Sequence, residues 1–132
     1  MDLSAIMKKY AAETGAQYTE YDQAQSIIIV PVSGGRFQTV MGLITENALY
    51  KRRLISLTSK VTAVKPDIDY RMLLEQTTFF NYCRFAIKDN YLQVEATASL
   101  VGISEETIRE MVQEVANLAD QFEMKITGVD IY

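Results

Sequence analysis

The sequence predicts an α+β fold in which an antiparallel sheet packs against helices in the order α-β-β-β-α-β-β-α. Three observations predict it. The spacing of apolar residues along the chain is helical, then alternating, then helical, alternating and helical again. The stretch 82–98 alternates apolar and polar residues on both sides of a turn, as an antiparallel hairpin does. The 132 residues, 48% hydrophobic and 23% charged, suit one domain with its own core rather than a disordered chain.

Leu3, Ile6, Met7, Tyr10 and Ala11 recur at helical spacing, with Lys8, Lys9 and Glu13 on the other side, and Gly15 is placed to end this first helix. A polar connection through Tyr18 and Tyr21 follows. Ile27-Ile28-Ile29-Val30 reads as a strand, because stiff β-branched side chains fit a pleated surface. Ser33-Gly34-Gly35 turns the chain into a second strand, Arg36 to Thr45; a looser link, Glu46 to Lys51, leads to a third, Arg52 to Val61. These three are expected to form an antiparallel meander.

Pro66, Asp67 and Asp69 precede Met72, Leu73 and Leu74, a rigid approach followed by oxygen acceptors for free backbone amides, so a short second helix starts there. Cys83, Phe85 and Ile87 then share one face and Tyr82, Arg84 and Lys88 the other. Lys88-Asp89-Asn90 turns the chain, and the return strand places Leu92, Val94, Ala96 and Ala98 inward. Ser104 caps the last helix, whose apolar stripe is Ile108, Met111, Val112, Val115, Leu118, Ala119 and Phe122. The tail, Met124 to Tyr132, carries no assignable pattern, although Ile126, Val129 and Ile131 suit packing along the body.

The composition removes most chemistry. Histidine is absent and Cys83 is the single cysteine, so transition-metal sites and nucleophile–base pairs lack their parts, and neither catalysis nor a cofactor is expected. Cys83 falls at an inward strand position, where cysteine serves as a small apolar filler. Asp67 and Asp69 begin like a calcium loop, but its glycine and bidentate glutamate do not follow. Glu106, Glu110 and Glu114 lie four apart and read as a solvated helix face. Ser33-Gly34-Gly35 joins two strands and so lacks the helix terminus of a phosphate loop. A net charge of −4 opposes nucleic acid and anionic lipid as general partners, despite the basic cluster Lys51-Arg52-Arg53. The longest apolar run, Ile27 to Val32, is too short to cross a bilayer, and the opening Met1-Asp2-Leu3-Ser4 puts an acid where a secretory signal is basic. With one cysteine, the cytoplasm is the expected compartment.

One feature is left over. Ile27 and Ile29 project to one face of the first strand and Ile28, Val30 and Val32 to the other, while Phe37, Met41 and Leu43 oppose Val40 and Ile44 in the second. Both faces are apolar, and one helix layer cannot cover both. Pro31 lacks an amide hydrogen, so the first strand is expected at an edge or to end there. Either the second helix or the tail covers the surplus, or a partner does. The partner reading assigns the contact to Ile28, Val30, Val40 and Ile44.

The run Leu73-Leu74, then Arg84-Phe85-Ala86-Ile87-Lys88-Asp89-Asn90-Tyr91-Leu92-Gln93-Val94-Glu95-Ala96, then Ile103-Ser104-Glu105-Glu106 and a helix ending Leu118-Ala119-Asp120, resembles the YbjN family. These are small bacterial proteins labelled sensory transduction regulators, with a fold similar to type III secretion chaperones. The resemblance implies a cytoplasmic, non-enzymatic protein that binds other proteins, often as a homodimer. The expected function is therefore a chaperone-like or regulatory interaction module. A rival reading is a small-molecule sensor with a pocket lined by Phe79, Phe80, Tyr82 and Tyr91.

Overall fold

The computed structural model describes residues 3–20 and 25–128. Helix α1 is Leu3–Thr14, strand β1 Gln17–Glu20, β2 Gln25–Pro31, β3 Phe37–Asn47 and β4 Arg52–Ala63. Helix α2 is Tyr70–Thr77, β5 Cys83–Lys88, β6 Tyr91–Ser99 and α3 Glu105–Thr127. The class is α+β: six antiparallel strands in the order β1-β2-β3-β4-β6-β5.

The local chemistry sets the boundaries. Ser104 Oγ accepts from the Thr107 amide at 3.0 Å, Glu105 and Glu106 occupy the first turn of α3, and Gly128 ends it in the left-handed region at φ 75°. Asp69, not Asp67, caps α2, accepting from the Met72 amide at 3.0 Å. The β5–β6 turn bends through Asp89 and Asn90, both at positive φ, which these two side chains tolerate better than most.

The helices lie on one face of the sheet. Leu3, Ile6, Met7, Tyr10 and Ala11 of α1, with Ile108, Met111, Val112, Val115, Ala116, Ala119 and Phe122 of α3, close over Ile28, Val30, Val40, Ile55, Leu57, Val94 and Ala96. Gly42 allows α1 to come close: a Cβ there would stand 3.1 Å from Ser26 Oγ and 3.5 Å from Leu3 Cδ2. The two helices are joined by ion pairs from Lys9 to Glu105 and from Glu13 to Arg109, and by a hydrogen bond from Tyr10 to Gln113. A half-buried two-pronged ion pair, Arg36 to Asp120 at 2.8 Å for each prong, fastens the start of β3 to α3. Helix α2 sits apart, against β5, anchored by buried Leu73.

Three expectations change, and one is met by its second alternative. The polar connection at Tyr18 is strand β1, so four strands, not three, precede α2; Tyr21 lies outside the described residues. With β1 on its flank, β2 is interior, although it does end at Pro31, as the missing amide requires. The link at Glu46 is shorter, because β3 runs on to Asn47, whose side chain accepts from the amides of Leu49 and Tyr50 to form the turn. Finally, α3 continues through Met124 and Ile126 to Thr127; Val129 and Ile131 lie outside the described residues.

Candidate functional site

The sheet has two faces and the described helices cover one. Alternation along each strand, carried across by the pairing register, assigns every strand position. Ile28 pairs with Val40, Gly42 with Leu57, Leu57 with Ala96, and Ala96 with Cys83; all face the helices. The opposite face takes Ile27, Ile29, Phe37, Thr39, Met41, Leu43, Ser56, Thr58, Lys60, Tyr91, Gln93 and Glu95. No helix among the described residues packs there.

This reverses the expected contact residues. Ile28, Val30 and Val40 are 0% exposed beneath α1 and α3, and Ile44 is half-buried against the same core. None offers a free surface, because they are the sheet's contribution to the core. What is bare is the set opposed to them: Phe37 is 48% and Met41 39% exposed, with Ile27, Ile29 and Leu43 half-buried beside them. The side is decided by the neighbouring strand. In β4 the alternation is unambiguous, with Ile55 and Leu57 apolar and Ser56 and Thr58 polar, and its register with β3 places Met41 and Leu43 on the polar row's side.

The bare face is concave. A trough of about 500 Å³ crosses it, lined by Thr39, Met41 and Leu43 of β3, Ser56, Thr58 and Lys60 of β4, and Lys88, Asp89, Tyr91 and Gln93 around the β5–β6 turn. One side is apolar and continues into Phe37 and the isoleucines of β2; the other is polar. The Lys60 ammonium lies 4.4 Å from the centre of the Tyr91 ring. Arg84 is paired with Glu95 at 2.8 Å, and Gln93 donates to the same carboxylate at 3.2 Å. A bulge in β4 between Lys60 and Thr62 interrupts the ladder with β6. Gln38, buried on the helix side of β3, supports it by donating to the Lys60 carbonyl and to Ser59 Oγ, each at 3.0 Å.

The acidic row on α3 is more than a solvated face. Glu114 accepts from the amides of Asn81 at 3.2 Å, Tyr82 at 2.8 Å and Cys83 at 3.0 Å, and the Tyr82 hydroxyl donates to Glu110 at 2.6 Å. Two of the three glutamates thus pin the loop entering β5. Partial burial pushes the Glu114 carboxyl up, but the hydrogen bonds it accepts from Tyr82, Cys83 and Asn81 outweigh this and hold it below the usual carboxylate value. The hydrogen bond to Glu110 raises the Tyr82 hydroxyl. Burial, and then the hydrogen bond to Glu114, push the Cys83 thiol far up, so at neutral pH it is a protonated core group.

The four aromatics of the rival reading do not converge. Phe80 packs edge-on against Phe85 and Phe122, Phe79 is exposed, Tyr82 is held by Glu110, and Tyr91 lies on the other side of the sheet. Among the described residues no group of three or more Cys, Asp or Glu side chains is placed to hold a metal ion. No helix among them is long and apolar enough to cross a membrane. In comparisons with known proteins, no family model matches the chain and no curated protein matches it.

Proposed function

We propose that the protein is a non-enzymatic, cytoplasmic interaction module that holds an apolar segment of a partner protein against the face of its sheet that no described helix covers. One observation carries this: Phe37 and Met41 stand exposed on a concave face beside Ile27, Ile29 and Leu43, while the helices are committed to the other side. Removing such a surface from water stabilises a complex by roughly 25 cal/mol/Å² before the costs of association. The activity is that of a chaperone-like or regulatory subunit, which is also what the YbjN resemblance implies. A second copy of the chain is the other occupant that resemblance implies.

The test is to change Met41→Asp and Phe37→Asp, confirm the fold by circular dichroism, and measure mass in solution and partner capture. Loss of a bound partner or of self-association with the fold intact is the expected result. If both variants fold and neither measurement changes, the surface is not the binding site.

A small-molecule sensor is favoured by one observation, the trough volume of about 500 Å³, which falls within the range of ligand clefts. Of the four aromatics first considered, only Tyr91 lines it. Native mass spectrometry separates the two readings: a retained peptide or subunit supports the module, and a retained small ligand supports the sensor.

A further inference from the structure

Building on the interaction reading, we infer that the segment received by the trough is acidic: an extended stretch of another protein that sets carboxylates against Lys60 and Lys88 and an apolar side chain against Met41 and Leu43. The chain carries thirteen bases against seventeen acids, so an even spread would make every face acidic. On the bare face the sign is reversed. Its strand positions present Arg52, Lys60, Arg84 and Lys88 against Glu95, with Asp89 in the adjoining turn. Glu95 is already engaged by Arg84. Neither Lys60 nor Lys88 is in an ion pair among the described residues.

Lys60 is held in place. The bulge beside it, supported from the core by Gln38, fixes where that side chain leaves the sheet. Its ammonium lies over the Tyr91 ring, and Lys88 stands opposite Tyr91 in the hairpin register, on the same face. Met41 and Leu43 lie on β3, one strand from Lys60 on β4 and three from Lys88 on β5, which at strand spacing is about 5 and 14 Å. About four or five extended residues span the longer distance, so one short segment reaches both ends.

The same charges select among occupants. A symmetric dimer with its two-fold axis at the cationic end would set Lys60 and Lys88 against the same lysines of a second copy, which like charge opposes, and one with its axis at Met41 would bury the apolar end and leave both lysines without carboxylates. A free small anion would use the cationic end and leave the apolar end bare. A strand-like segment with acidic and apolar side chains uses both.

The test uses two short fluorescent peptides, one with Asp at its first and third positions, Leu at its fifth and seventh and Thr between, so that Asp and Leu share one face when extended, and the other with Lys in place of Asp; binding is read by anisotropy. The Asp–Leu peptide is expected to bind, to weaken as salt rises from low to about 0.5 M, and to lose about tenfold or more in affinity to a Lys60→Glu/Lys88→Glu variant whose circular dichroism is unchanged. Equal binding of the Lys–Leu peptide, indifference to the charge reversal, or no binding of either peptide would overturn the inference. So would a dimer that the charge reversal strengthens. If Met41→Asp releases a partner while the lysine variant still holds the Asp–Leu peptide, this inference fails and the interaction reading stands. If Met41→Asp alters nothing, that reading itself has failed.

Discussion

Val40 and Met41 are neighbours in β3, similar in hydrophobicity, and opposite in circumstance. Val40 is sealed beneath the helices, whereas Met41 looks across a bare trough. The same contrast runs through β2, where Ile28 and Val30 are core and Ile27 and Ile29 flank the open side. A residue's role in this sheet is thus set by parity and not by its own chemistry. The helix-covered face is filled by α1 and α3 and tied by Arg36–Asp120; the other is apolar at β2–β3, cationic at β4–β6, and free of helices among the described residues.

The largest effect should come from placing a charge on each side of that divide. Val40→Asp buries a carboxylate without a partner and should cost more than about 4 kcal/mol, enough to prevent folding. Met41→Asp, one residue on, should cost less than about 1 kcal/mol. Urea unfolding followed by circular dichroism checks both, and comparable losses would erase the distinction between the faces.

Next is the fastening of α3. Asp120→Ala removes the two-pronged acceptor of the Arg36 guanidinium, which is partly exposed and so can be solvated in its place, and should lower stability by about 1–2 kcal/mol. The urea midpoint measures it. Because the change is confined to the covered side, binding to the bare face should survive in whatever fraction remains folded.

Much of this was legible in the sequence, and the misses have physical causes. The β5–β6 hairpin and the stripe of α3 were plain because each has one apolar side, so periodicity alone assigns it. Strand β1 was not, because Gln17-Tyr18-Thr19-Glu20 lacks apolar alternation; the strand is defined by its backbone ladder to β2. For β2 and β3 the sequence showed an apolar surplus but not its side, since either parity would bury branched side chains. Contacts distant in sequence decide it: Gly42 admits Leu3 of α1, and Ile55 and Leu57 carry the covered side across from β4. The anchoring role of Glu114 was hidden for a similar reason, because its three amide donors lie more than thirty residues earlier.

The smallest effect belongs to that anchor. The Glu114 carboxyl titrates below its ordinary value of 4.5 in the folded protein, so its stabilisation is complete above that value and lost as pH falls through the lower folded one. Glu114→Gln should cost about 1 kcal/mol near neutral pH, since the site is open to solvent and screened. The urea midpoints of variant and parent should converge in acid. A constant gap at all pH values would mean that the charge of Glu114 is not what holds the loop.

The most direct measurement of the central claim is carbene footprinting of the protein before and after it takes up its partner. Labelling at Phe37 and Met41 should be strong in the free protein and fall on binding, while Val40 stays dark throughout and the exposed side of α3 at Glu106 is labelled equally in both states. Protection that appears on α3 and leaves Met41 fully labelled would contradict the account.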